Sequence, residues 1–198
     1  MYLKHEICNT IVIEKSRFIC YMKQVKSEDE YRDYLSEIRK KHRDATHVCS
    51  AVICWNIRRS SDDGEPSGTA GAPILNVLDK NGLDETCALV VRYFGGIKLG
   101  AGGLIRAYSS AVSECLKTGE LVEDICLDKY ELKLSYDMAN RIDHYLCENT
   151  VLIDRIYDTE VTYVFALEDE GGIEKIMEIT RGKRPVKIGE ETVQKVVE

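Results

Sequence analysis

Residues 90–112, VVRYFGGIKLGAGGLIRAYSSAV, run an apolar strand into a glycine cluster and out into an amphipathic helix. Gly95, Gly96, Gly100, Gly102 and Gly103 leave backbone N–H groups able to approach a ligand closely. The helix start beyond them carries partial positive charge. Between residues 86 and 113 stand Arg92, Lys98 and Arg106 and no acidic residue, although the chain as a whole carries a formal net charge of −7. This pattern suits phosphate oxygens, with Tyr93, Phe94 and Tyr108 as stacking faces. Two named cradles are excluded. A P-loop would need Lys and Ser or Thr after Gly100, where Ala101 and Gly102 stand, and a dinucleotide fingerprint would need glycine where Ile105 stands. The expected nucleic-acid or anion contacts are Arg92, Tyr93, Gly95, Gly96, Lys98, Gly100, Gly102, Gly103 and Arg106. The competing reading is architectural: glycines for a tight strand-to-helix turn, aromatics for the core, and Arg92 turned inward by strand alternation against an acidic partner.

A second stretch, SSDDGEPSGTAGAP, sets Asp62, Asp63, Gly64, Glu65, Pro66, Ser67, Gly68 and Thr69 in one motif loop. Its three carboxylates could hold magnesium or exchange protons. Asp-Gly and Glu-Pro are also turn chemistry, and short polar side chains bond their own backbone, which favours an ordered loop that shapes a surface. His47 and Cys49, two apart in a strand, share a face and could pair a base with a thiol, but no orienting third group is evident. The run RKKHR, Arg39–Arg43, reads as the solvated, dipole-favoured end of a helix.

The elements that must position these residues follow from patterning. The composition, 44% apolar and 31% charged over 198 residues, is that of a folded chain of one ordinary or two small domains. Net negative charge argues against bulk coating of nucleic acid. Eight scattered cysteines without a C-x-x-C pair argue against a zinc ribbon, a redox motif or a disulfide framework. With no signal peptide and no apolar run near ~20 residues, a cytoplasmic protein without membrane association is expected. IVIEKSRFICYMKQV reads as a strand or hairpin limb, followed by a helix capped by Ser27 with Tyr31, Tyr34, Leu35 and Ile38 on one face. HVCSAVICWNI is a strand, RRSSDDGEPSGTAGAP a loop, Asn81-Gly82 a turn, and TCALVVRYF a strand buried on both faces. The following helix opens near Ala101, carries Leu104, Ile105, Tyr108, Val112, Cys115 and Leu116 on its apolar stripe, and stops at Gly119. Beyond it, strand, helix, two strands, helix, strand match the split βαβ, or ferredoxin-like, plan. The fold class is therefore α+β, with a first domain over 1–122 and a ferredoxin-like βαββαβ domain over 123–198. Nine of fourteen glycines lie between residues 64 and 103, which places the working parts in the first domain. No aromatic RNP signature marks the second.

DDGEPSGTAGAPIL followed by VVRYFGGIKLGAGGLIRAYSSAV resembles the signature of the IMPACT family, in its YigZ-type bacterial form. KSRF near the start, with RIDHYL and TRG later, extends the resemblance over nearly the whole chain. The resemblance implies a first domain similar to the second domain of a small-subunit ribosomal protein and to domain four of elongation factor G. It also implies a ferredoxin-like second domain similar to the next domain of that factor. Eukaryotic relatives carry a further N-terminal interaction domain and temper the amino-acid-starvation kinase pathway by binding its activator protein; that extra domain is not in this chain. The family supplies no catalytic residues and no cofactor. The expected function is a translation-associated or regulatory binding protein, rather than an enzyme, that contacts RNA or the ribosome through the glycine-rich basic surface. The alternatives are a magnesium-dependent enzyme acting on a phosphate-bearing small molecule and a regulator that binds only protein.

Overall fold

The computed structural model describes residues 1–169 and 171–197. Strand β1 (Tyr2–Leu3) precedes a hairpin of β2 (Ile7–Ile13) and β3 (Ser16–Gln24), then helix α1 (Glu28–Lys41). A second hairpin, β4 (His47–Cys54) and β5 (Ile57–Ser61), leads to helix α2 (Gly71–Lys80), strand β6 (Thr86–Tyr93) and helix α3 (Gly100–Leu116). The chain continues through β7 (Leu121–Leu134), α4 (Tyr136–Asn149), β8 (Val151–Tyr157), β9 (Val161–Leu167), α5 (Gly171–Ile179) and β10 (Val186–Val196). The class is α+β. Two compact units divide it: Met1–Glu123 with the C-terminal stretch from Val196, and Asp124–Lys195. Among the described residues no helix is long and apolar enough to cross a membrane, and all eight cysteines are free thiols.

The first unit is built on an antiparallel sheet in the order β2-β3-β6-β4-β5. Central β6 is buried from Thr86 through Arg92, as a strand covered on both faces must be. Alternation sends Cys87, Leu89 and Val91 into a cluster with Tyr31, Tyr34 and Ile38 of α1. Ala88 and Val90 go the other way, into a cluster with Ile74 and Leu78 of α2 and Leu104, Tyr108 and Val112 of α3. The same period puts Arg92 on the α2/α3 side and Tyr93 on the α1 side. Helix α1 starts where Ser27 accepts from the N–H of Glu30 at 3.2 Å, with acids in its first turn and Arg39, Lys40 and Lys41 in its last. The β2–β3 turn places Glu14 and Lys15 at φ 45° and 63°, the mirror-image geometry that matches strand twist.

Three expectations are corrected. The loop read over RRSSDDGEPSGTAGAP is shorter, because Ile57–Ser61 forms edge strand β5 and Gly71 already opens α2. The arginines belong to that strand because an edge tolerates charge: Arg58 pairs with Asp79 at 3.1 Å and Arg59 with Glu28 at 2.6 Å. Ile105 is 42% exposed rather than on the buried stripe, whose remaining members are Leu104, Ala107, Tyr108, Ala111, Val112 and Cys115. Gly119 is not a left-handed stop; it is a close approach, since a Cβ there would lie 2.8 Å from Leu3 Cδ2 and 2.9 Å from Ile7 Cδ1.

In the second unit β7 pairs antiparallel with β9 and β9 with β8, while β10 pairs with β7. The strand order is thus β10-β7-β9-β8. Tyr130, Leu132 and Leu134 of β7 and Val161, Tyr163 and Phe165 of β9 pack with Ile142 and Leu146 of α4 and Ile173 and Ile176 of α5.

Candidate functional site

The acidic motif is consumed by the fold around it. Asp62 Oδ1 accepts from the N–H groups of Ala70 at 3.0 Å and Gly71 at 2.8 Å, and Oδ2 from Gly68 at 2.8 Å. Asp62 therefore caps α2 from eight residues upstream of Ala70, a position whose own side chain makes no cap. Burial pushes the Asp62 carboxyl up, but the three N–H donors outweigh it and hold it below its ordinary value. Asp63, at φ 44°, takes Arg39 Nη2 at 2.6 Å on Oδ1 and the Val48 N–H at 2.7 Å on Oδ2. Thr69 Oγ1 donates to the Pro66 carbonyl at 2.6 Å, and Gly64 and Gly68 supply the left-handed φ values of 87° and 76° that the loop turns through. Pro66, Ser67 and Gly68 are exposed.

Glu65 turns inward. Its Oε1 accepts from Arg92 Nη1 at 2.6 Å and from the Tyr108 hydroxyl at 2.8 Å. Each of the three carboxylates thus has its own protein donors, and among the described residues no three His, Cys, Asp or Glu side chains gather as a metal site. Cys49 donates its thiol to the Asp62 carbonyl at 2.9 Å and lies 3.3 Å from the Tyr108 oxygen. Burial pushes that thiol up to about 12, so it stays protonated at neutral pH and is no nucleophile. His47 does share the Cys49 face, but its Nδ1 must donate to the Asp63 carbonyl at 2.8 Å, and its Nε2 stands 3.9 Å from Glu65 Oε2.

Arg92 departs most from the expected surface. It is 5% exposed, with its guanidinium between the rings of Phe18 and Phe94, 5.5 Å from each centroid. Nη1 meets Glu65, whereas Nε is buried without a partner. Tyr93 points to the opposite face, where its hydroxyl meets His42 Nδ1 at 2.9 Å and Arg17 lies over its ring at 4.5 Å. Neither residue belongs to an open face with Lys98 and Arg106. Tyr108 is fully buried, which settles it as core.

Gly95 is also architectural. Its N–H donates to Ser16 Oγ at 3.1 Å, and a Cβ would fall 2.0 Å from the Lys15 carbonyl carbon. Beyond it the chain opens: a Cβ at Gly96, Gly100 or Gly102 would meet nothing within 4 Å. Gly103 lies closer in, its Cβ position 3.0 Å from Leu99 Cβ. Helix α3 begins at Gly100 with no side-chain cap and no acid in its first turn. Pro66, Phe94, Leu99 and Leu104 wall a pocket of about 290 Å³ whose lining also includes Lys98, the helix start and the buried Arg92. An adjoining concavity of about 520 Å³ is lined by Lys98 and Arg106 with Ile13, Glu14 and Ile97. Lys98 and Arg106 are exposed, and Phe94, Ile97 and Ile105 around them are 47%, 38% and 42% exposed.

The structure therefore brings Lys98 together with Gly100 in one pocket and with Gly103 and Arg106 in the adjoining concavity, leaves the Cβ positions of Gly96 and Gly102 open, and withdraws Tyr93 and Gly95 into the framework. Arg92 forms the pocket floor. Strand alternation leaves open that Arg92 is buried against an acidic partner; that partner is Glu65, and Tyr108 is the third member of the network. Its signal was the inward period of β6, which places Arg92 and Val90 on one face, and the i, i+4 placement of Tyr108 and Leu104 on α3.

Residues 14–116 match the family model of the Impact N-terminal domain. The chain is 46% identical over 189 residues to the IMPACT family member YvyE of Bacillus subtilis (strain 168), covering 92% of this chain and 87% of that protein. It is 36% identical over 147 residues to the IMPACT family member YigZ of Escherichia coli (strain K12), covering 71% of this chain and 72% of that one. A crystal structure of a hypothetical protein superposes with a TM-score of 0.60 at 30% identity, over 95% of this chain and 96% of the other. The signature stretches sit within the matched region and in the pocket and loop just described, and the chain belongs to the IMPACT family.

Proposed function

We propose that this protein is a translation-associated binding protein whose first domain, residues 1–122, contacts RNA on the ribosome through Lys98, Arg106 and the backbone of Gly96–Gly103. The observation that carries this reading is the uncapped start of α3 between two exposed cations, in a first turn without acids. Family membership supports a role in translation, through the likeness to ribosomal-protein and elongation-factor domains that the family resemblance implies for the first domain. The strand order β10-β7-β9-β8 supports a ferredoxin-like second domain over residues 123–198. The magnesium enzyme finds no support in the geometry, because Asp62, Asp63 and Glu65 are each occupied by different donors.

Exposed Phe94, Ile97 and Ile105 favour a second reading, a regulator whose partner is a protein. Sedimentation of ribosomes from lysate at low and high salt, with and without nuclease, separates the two. Salt-sensitive, nuclease-sensitive co-sedimentation is expected for phosphate contacts. A salt-resistant association that survives nuclease would favour the protein partner, and a protein left in the supernatant at low salt would contradict the ribosome reading.

A further inference from the structure

The cations of the first unit divide by whether the fold pairs them. Arg32, Arg39, Arg58 and Arg59 each sit on a carboxylate. Lys15, Arg17, Lys41 and Arg43 are exposed and form no ion pair among the described residues. These four gather at one end of the sheet, where β6 finishes. Arg17 stands opposite Tyr93 in the β3–β6 register, and the Tyr93 hydroxyl meets His42, the chain neighbour of Lys41 and Arg43, at 2.9 Å. Lys15 backs onto Gly95. Residues 1–123 hold seventeen basic and seventeen acidic side chains, so the excess at this end comes from placement rather than composition.

Two of these cations are held in position. Arg17 Cζ lies 4.5 Å from the ring centroid of Tyr93, and Lys41 Nζ 4.8 Å from that of Tyr21. His42 joins the two rings, its Nε2 at 2.9 Å from the Tyr21 hydroxyl and its Nδ1 at 2.9 Å from the Tyr93 hydroxyl. Burial, then the charges of Lys41 and Arg17, push the His42 imidazole below its ordinary value. At neutral pH it is therefore uncharged, donating to one hydroxyl and accepting from the other. The series Lys41–Tyr21–His42–Tyr93–Arg17 thus fixes two charges that the fold does not neutralise. Long cationic side chains lose rotamer freedom when they bind, and here part of that ordering is already in place.

Tyr93 and Arg17 lie on the α1 side of the sheet, whereas Lys98 and Arg106 lie on the α3 side; Lys15, Gly95 and Gly96 stand between. Cations set out along a path suit a chain of regularly spaced anions better than a single one. We propose that Arg17, Lys41 and Arg43 form a second phosphate-contacting cluster, reached by one RNA strand that crosses this end of the sheet from Lys98 and Arg106 past Lys15. This rests on the RNA reading and extends it to the opposite face of the sheet.

The test is the affinity of the full chain for single-stranded oligouridylate over a salt series. Arg17→Gln with Lys41→Gln removes two exposed charges and is expected to keep the parent's urea midpoint. It should weaken binding and make the salt dependence shallower by about two phosphate contacts. Lys26→Gln with Lys80→Gln is the control. Both are exposed and stand by the start of β6: Lys26 follows Val25, whose N–H bonds the Glu85 carbonyl, and Lys80 ends α2 just before the turn into that strand. That pair should bind as the parent does; a loss equal to that of the Arg17 and Lys41 pair would overturn the cluster, because net charge alone would then account for it. Parent-like affinity and slope in Arg17→Gln with Lys41→Gln would overturn it too, and weakened binding by Lys98→Ala with Arg106→Ala would leave the first surface standing alone. If only the Arg17 and Lys41 pair matters, the cluster stands and the first surface falls. A parent that binds no RNA overturns both.

Discussion

Helices α2 and α3 begin with the same deficit and meet it differently. At α2, Asp62 spends both carboxylate oxygens on the N–H groups of Gly68, Ala70 and Gly71. At α3 the corresponding amides face a pocket and the exposed cation Lys98. The two motifs, read from the sequence as a contact surface and as an ordered loop, differ in the same way in the structure. The acidic motif finishes the fold, because its charges are used up internally, and the glycine motif leaves an uncapped helix start beside an exposed cation.

The largest effect that would test this contrast is at its hinge. Arg92→Ala leaves Glu65 buried beside Tyr108 without its cation, and we expect a loss of about 3–5 kcal/mol in urea unfolding. Stability unchanged by that substitution would show that the pair is not structural. Asp62→Ala uncaps α2 and should cost about 1.5–3 kcal/mol, the range for hydrogen bonds to a charged group. Because the folded Asp62 carboxyl is held below its ordinary value, its contribution is present above about pH 4 and is lost as pH falls through the lower folded value. Thermal unfolding of Asp62→Ala should accordingly depend less on pH below about 4 than that of the parent. Tyr108→Phe removes one donor from Glu65 and should cost about 1–1.5 kcal/mol. Gly102→Ala sharpens the other side: its Cβ meets nothing within 4 Å, so the helix should gain up to about 1 kcal/mol while the extra methyl group hinders close approach of a partner. A stabilised variant with undiminished RNA binding would remove Gly102 from the interface.

How much of this was legible in the sequence depended on how local the cause was. The β2–β3 limb, the Ser27 cap, the buried β6 strand and the order of elements beyond residue 120 follow from period and capping, which act over a few residues. Edge strand β5 was hidden because its arginines read as loop, although an edge accepts them. Gly95 and Gly119 were misread because their cause is distant: Lys15 backbone against one, Leu3 and Ile7 against the other. The site was half legible. Lys98, Arg106 and the open glycines stood out by composition, whereas the capture of Arg92 by Glu65 joins residues 27 positions apart and needs the fold to become visible. The inward alternation of β6 was its one local sign.

The central claim is that Lys98 and Arg106 form a phosphate-contacting surface whose charges the fold does not use. Substituting both with alanine should change stability by less than about 0.5 kcal/mol, since both are exposed and neither forms an ion pair among the described residues. The most direct measurement is the affinity of Lys98→Ala with Arg106→Ala for single-stranded RNA across a salt series, beside the parent. The account predicts weaker binding and a salt dependence shallower by the equivalent of about two phosphate contacts. Equal affinity and an unchanged slope would contradict it.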